Sequence, residues 1–159
     1  MPRWTWNGDE LAPTRTVLVD VDGVLADGSH RQHLLNGEKK RWQDFFRAIS
    51  DDQPLLATVT LVDLISDDTL ITLLTARPES IHDDTVAWLR EYEIRWDLLI
   101  MRGRRDHGPS TEMKRLAVEE LRYAGFDPVL AIDDDQRNIT MYEEENIPAL
   151  YLHSGYYEA

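Results

Sequence analysis

Five short apolar runs, Thr16–Asp20, Thr69–Thr75, Leu98–Met101, Val129–Ile132 and Ala149–Leu152, constrain this chain more than any other feature. None alternates apolar with polar side chains, as a strand with one wet face must. Strands apolar on both faces belong to a parallel sheet covered by helices on each side. Segments of helical length separate the runs. Leu55–Ile65 follows Pro54, a good first-turn residue. Glu79–Tyr92 sets Ile81, Thr85, Trp88 and Leu89 at helical spacing, and Thr111–Tyr123 does the same with Met113, Leu116, Ala117 and Leu121 before stopping at Gly125. Gln136–Glu145 is more polar, with Ile139 and Tyr142 as its stripe. The order βαβαβαβαβ predicts a doubly wound α/β fold around a parallel five-stranded sheet with right-handed crossovers.

A chain of 159 residues suits one domain, 1–159, at roughly 100–200 residues per domain. It has no cysteine, which excludes disulfides, Cys-ligated zinc and thiol catalysis. Lys plus Arg number 17 against 30 Asp plus Glu, a net charge of −13. Such acidity argues against a general nucleic-acid coat protein or a partner for anionic membranes. No apolar run approaches a membrane span, and the first residues lack the apolar core of a signal peptide. A soluble, cytoplasmic protein without a membrane partner is expected.

One stretch interrupts the alternation. Residues 27–53 follow the first strand and are too long for an ordinary βα loop of about 2–6 residues. They carry Trp42, Phe45, Phe46 and Ile49 at i, i+3, i+4, i+7, the stripe of a short helix. An insertion at a strand's carboxyl end sits over the ligand crevice of an open α/β sheet, so a small cap is predicted. The stripe is read chiefly as that cap's own core, with a nucleobase platform as the sharper alternative.

Four polar signals fall at or just after strand ends. Asp20 and Asp22 are two apart, which on an extended chain turns both carboxylates to one side, and Gly23 then allows a sharp exit. Thr75 closes an apolar strand and is followed by Ala76 and Arg77. Lys114 lies at the start of a helix. Asp133, Asp134 and Asp135 follow the fourth strand, Asp135 being read as a helix cap. Two anions held close need a cation or a proton. Hard oxygen ligands without clustered His or Cys suit Mg²⁺, and a nucleophilic carboxylate beside it suits phosphoryl transfer.

DVDGVLAD, LLTAR, EMKRL and AIDDDQRN, in that order between Thr16 and Leu152, resemble the four motifs of the haloacid dehalogenase (HAD) superfamily of phosphohydrolases. The resemblance implies a Rossmann-like core and a Mg²⁺ cofactor. It makes Asp20 the nucleophile and Asp22 the general acid and base, whose main-chain carbonyl also ligates the metal. Thr75 would bind a phosphoryl oxygen and Lys114 would neutralise charge beside Asp20. Asp133 and Asp134 would hold the metal with Asp20 and Asp22. The sequence is also similar to the phosphatase domain of phage-type polynucleotide kinase-phosphatase, through Arg31, TAR, Leu99–Arg102, the Lys114 helix, IDD and Ser154-Gly155-Tyr156. That likeness adds Arg31 and Arg77 as phosphate holders, with Gly23 and Ala76 at the substrate. Two positions depart from the pattern. Gly108–Thr111 replaces an acidic residue before the lysine, and Asp135 replaces an arginine for which Arg137 is the nearest candidate. No GxxxxGK[ST] loop occurs, so no kinase half is expected in this sequence.

The reading is a phosphomonoesterase acting through an aspartyl-phosphate on the 3′ end of a nucleic acid or on a nucleotide. It expects no obligate protein partner and a monomer or weak homodimer. A small soluble phosphate ester is the alternative, which the net acidity favours. A phospho-aspartate signalling module without turnover is the alternative of another class. The basic cluster Arg102, Arg104, Arg105, Lys114 and Arg115 is equally a local phosphate funnel or a solvated loop.

Overall fold

The computed structural model describes residues 1–157. In chain order it contains β1 (Arg3–Trp6), β2 (Arg15–Val19), β3 (Ala26–Asp27), α1 (Trp42–Arg47), β4 (Gln53–Pro54), α2 (Leu56–Asp63), β5 (Leu70–Pro78), α3 (His82–Glu91), β6 (Leu98–Arg102), α4 (Ser110–Tyr123), β7 (Asp127–Asp133), α5 (Gln136–Glu144) and β8 (Ala149–Tyr151). The five apolar runs all form strands of one sheet, ordered β6-β5-β2-β7-β8 and parallel throughout. The order reverses between β2 and β7, and such a switch point opens a crevice at the strands' carboxyl ends.

The sheet is six-stranded rather than five-stranded. Arg3–Trp6 adds an antiparallel edge strand to β6, with Arg3 opposite Met101 and Trp6 opposite Leu98. Its register sets Trp4 and Trp6 on one face, where both rings lie 6.0–6.2 Å from Phe126. Edge pairing satisfies backbone groups of β6 that would otherwise face water, and the two indoles cover the end of one core layer.

Alternation along the strands divides the interior. Val17, Val19, Ile71, Leu73, Leu99 and Met101 face α2 and α3 with Val62, Val86, Trp88 and Leu89. Leu18, Leu70, Leu74, Leu98 and Ile100 face α4 and α5 with Met113, Ala117, Val118, Leu121 and Met141. Both layers are buried, as a parallel sheet under two helical layers requires.

Between β3 and β4, which pair as a two-stranded ladder, the chain forms a 3₁₀ helix over Ser29–Leu35, then α1, then a 3₁₀ turn over Ala48–Asp51. Along the apolar stripe Phe45 and Ile49 are buried and Phe46 is half-buried, while Trp42 is 47% exposed. The predicted stripe is thus an interior for only part of its length.

Candidate active site

β2 ends at Val19, one residue before Asp20, whose amide donates to the carbonyl of Ile132 on β7 at 3.0 Å. This bond carries Asp20 to the crevice between the two central strands. β7 ends at Asp133, which brings its carboxylate to the same edge. Oxygens of Asp20, Asp133 and Asp134 all lie within 4.8 Å of one another, and the three side chains are buried. From α4, Lys114 reaches in and donates from Nζ to Asp133 at 2.6 Å, with Asp20 at 3.2 Å. Lys114 is itself 1% exposed, so the ammonium exists there only because these carboxylates hold it.

Protonation states follow from this crowding. Burial, reinforced by Asp133, Asp134 and Asp22, pushes the Asp20 carboxyl well above its ordinary range against the pull of Lys114. Burial opposes charge on Lys114 too, but Asp133 and Asp20 hold its ammonium above the usual lysine range. Asp134 is raised to about 6, chiefly by burial, with Ser154 and Asp20 pulling it partway back. Both Asp134 oxygens are buried without a hydrogen bond of good geometry. Were all three carboxyls ionised against the one ammonium, two negative charges would be left over, which burial disfavours unless protons or a cation offset them. Orphaned buried oxygens, all-oxygen donors and that imbalance together make a cluster compatible with a hard divalent ion.

Gly23 makes the arrangement possible. Its φ is +78°, and a Cβ there would collide with the Asp134 carboxylate and touch Ser154.

The Asp22 carboxylate is held by two arginines rather than by the Asp20–Asp133–Asp134 cluster, although its charge still acts on Asp20. The i, i+2 rule needs an extended chain, but after Val19 the backbone turns. The amides of Val24, Leu25 and Ala26 all donate to the carbonyl of Val21. Asp22 Oδ1 accepts from Arg31 Nη2 at 2.6 Å and from Arg77 Nη2 at 2.8 Å, and Oδ2 accepts from Arg77 Nε at 3.0 Å. Although burial opposes it, the Arg77 and Arg31 guanidiniums hold this carboxyl well below the usual range. Both aspartates still line one cleft.

The sequence reading missed Asp52. It is fully buried and accepts from Arg31 Nε and Nη2, both at 2.9 Å, and from His30 at 2.7 Å, with Arg77 Nη2 at 3.5 Å. Its carbonyl accepts from the indole of Trp88. Two acids and two arginines thus form a self-neutral ring beside the carboxylate cluster. Asn138 was also missed. One turn into α5, it donates to Asp133 Oδ2 at 3.2 Å and accepts from Ser110. Its only sequence signal is its position just after the DDD triplet.

The remaining residues fall around the same crevice. Thr75 is buried where the register of β5 against β6 shifts, and its hydroxyl accepts from the Arg77 amide at 3.1 Å. Ala76 gives its carbonyl to Arg102 at 3.1 Å. Asp135 caps α5 by accepting from the Arg137 amide, and also binds the Arg137 guanidinium. The basic cluster divides. Arg102 and Arg104 line the cleft, whereas Arg115 is tied to Glu144 and Glu145 on the α4–α5 surface.

The cleft holds about 1190 Å³. It is lined by Asp20, Thr75 and Lys114, by residues of the 29–46 stretch and by Ser154–Tyr157. Tyr156 Oη accepts from the Gly28 amide at 2.8 Å, joining that tail to the start of the β3–β4 excursion.

The doubly wound sheet and the Asp20–Asp133–Asp134 cluster are those of a HAD-superfamily phosphatase. More particularly, residues 14–157 match the family described as the polynucleotide kinase PNKP phosphatase domain, and the chain belongs to that family. Among solved structures, a chain of the Pnkp1/Rnl/Hen1 RNA repair complex is similar at 20% identity and TM-score 0.72, covering 94% of this chain and 45% of that one. A second structure of that complex gives 22% identity and TM-score 0.70, covering 94% and 49%. This chain therefore spans about half the length of those relatives. A haloacid dehalogenase-like family hydrolase from Streptococcus pneumoniae is similar at 16% identity and TM-score 0.61, over 86% of this chain and 83% of that one. These likenesses concern the fold. No curated protein matches the chain. No helix among the described residues is long and apolar enough to cross a membrane.

Proposed function

We propose that this chain is a Mg²⁺-dependent phosphomonoesterase that removes a 3′-phosphate from a nucleic-acid end or a nucleotide. The observation that carries the reading is the convergence of Asp20, Asp133 and Asp134 within 4.8 Å, with Lys114 paired to Asp20 and Asp133, where Asp20 and Lys114 line a large cleft. The family match supports the substrate class.

Asp20, Asp133 and Asp134 would hold the Mg²⁺ ion, together with the main-chain carbonyl of Asp22 as the family pattern implies. When bound, the ion supplies the charge that keeps Asp20 ionised and screens the phosphoryl oxygens. Asp20 attacks phosphorus, the P–O bond to the substrate breaks, and the phosphoryl group passes to the Asp20 carboxylate. Lys114 offsets charge on the transferring oxygens, and Thr75 offers its hydroxyl to one of them. Asp22 donates the proton that the departing alkoxide needs, then takes one from the water that hydrolyses the aspartyl-phosphate.

Clamped by Arg31 and Arg77, Asp22 is in its base form. A phosphate dianion beside those guanidiniums competes for the same N–H groups and loosens their hold, which raises Asp22 toward a proton donor. Arg31 and Arg77 thereby serve both as phosphate holders and as the restraint on Asp22. The 27–53 stretch is the cap over this site, within a single domain 1–159.

Release of inorganic phosphate from a 3′-phosphorylated oligonucleotide, with Mg²⁺ and then with chelator, tests the reading. Metal-dependent release is expected. Release only from small sugar phosphates would replace the polynucleotide by a small ester, a reading that the charge of −13 favours.

A further inference from the structure

Trp42 stands apart from the other four tryptophans. Trp88 and Trp96 are buried, and Trp4 and Trp6 are half-buried against Phe126. Trp42 opens α1 at 47% exposure and lines the same cleft as Asp20, Thr75 and Lys114. Its ring stacks on Phe46, centroids 5.7 Å apart with planes at 29°, and meets Phe45 edge-on at 5.8 Å. Phe45 in turn lies under the Arg31 guanidinium at 4.2 Å, the same guanidinium that binds Asp22. The exposed indole is therefore braced from behind and connected through Phe45 to the Arg31–Asp22 pair. Nothing in the proposed chemistry uses it.

Its surroundings are cationic in an acidic protein. Lys40 Nζ lies over the Trp42 ring, 5.7 Å from its centroid, and the cleft lining also includes Arg104, His107 and an Arg102 paired with Asp106. A cleft of about 1190 Å³ far exceeds what one phosphoryl group fills. An occupant that is anionic at the floor and flat and π-faced at the wall matches both features, whereas a sugar phosphate without a ring system leaves Trp42 wet.

Resting on the phosphatase reading, we infer that Trp42, backed by Phe46, is a stacking platform for a nucleobase of the substrate, with Lys40 moving from over the ring to the backbone. Base–aromatic stacking tolerates any base, so the platform favours nucleotides over base-free esters without selecting a sequence.

The test compares kcat/KM on a 3′-phosphorylated oligonucleotide with kcat/KM on an oligonucleotide whose 3′-phosphate sits on abasic residues. In Trp42→Ala this ratio should fall about 5- to 150-fold, the equivalent of one stacked base, chiefly through KM. Trp42→Phe should restore most of it. A ratio unchanged in Trp42→Ala overturns the platform while leaving the phosphatase reading intact. Fluorescence titration with adenosine 3′-monophosphate is the readout independent of turnover. Quenching in wild type that is missing from Trp42→Phe, in a protein that hydrolyses neither substrate, would keep the platform and sink the phosphatase reading. No quenching and no turnover would sink both.

Discussion

Arg77 grips Asp22 through two nitrogens, Nε at 3.0 Å and Nη2 at 2.8 Å, across 55 residues of sequence. This fork sets the charge of the residue cast as the proton carrier. It also predicts how the protein responds to acid. Because the folded carboxyl lies below its ordinary value, the pair contributes stability above the unfolded pKa of about 4, lost as pH falls through the folded value. Asp22→Asn should flatten that acid limb in denaturation curves taken between neutral pH and strong acid. Arg77→Ala, which strips Asp22 of the fork, should destabilise the fold by about 3 kcal/mol at neutral pH. Arg77→Lys keeps the charge without the fork and should fall between wild type and Arg77→Ala.

Asp20→Asn removes one anion from a crowded site. In chelator its stability should lie within about 1 kcal/mol of wild type or above it, while turnover falls by at least about 10⁴-fold. Thermal melts with added Mg²⁺ should show wild type gaining about 2–3 kcal/mol at a hundredfold excess over Kd. Asp134→Asn should lose most of that gain. A Mg²⁺ response identical in both proteins would remove Asp134 from the cation site.

Gly23→Ala should be poorly tolerated on two counts. The positive φ costs about 1–2 kcal/mol for any residue with a Cβ, and the new methyl would displace the Asp134 carboxylate. Chemical denaturation and a Mg²⁺ titration read the two effects separately, and both should shift.

How much of this was legible in the sequence depended on range. The five parallel strands could be read because their apolar side chains must cover both sheet faces, a demand that acts on every residue of Val17–Val19 or Ile71–Leu74. β1 could not, since four residues holding two tryptophans carry no period until the open edge of β6 gives them a partner. The acids of the carboxylate cluster stood at strand ends, where chemistry-bearing residues gather. Asp52 stood in a polar turn, and its burial makes sense only with Arg31 and Arg77 folded around it. The capture of Asp22 by two arginines was hidden because the extended chain stops at Val19.

Asp52 should therefore behave as a core residue despite its charge. Asp52→Ala would leave Arg31 buried with half of its partners, at a cost of about 3–5 kcal/mol. Asp52→Asn, which keeps the side-chain shape and one acceptor oxygen, should cost less. Urea midpoints of the two variants provide the comparison, and equal midpoints would mean that charge rather than shape sets the cost.

Trapping the covalent intermediate reaches the central claim most directly. Wild-type protein mixed with Mg²⁺ and a 3′-phosphorylated oligonucleotide, quenched in acid within milliseconds and mapped by peptide, should carry the phosphoryl group on the peptide containing Asp20. Asp20→Asn should carry none. Phosphate release by wild type with the label on another residue, or turnover with no labelled protein at any quench time, would contradict the assignment of Asp20 as the nucleophile.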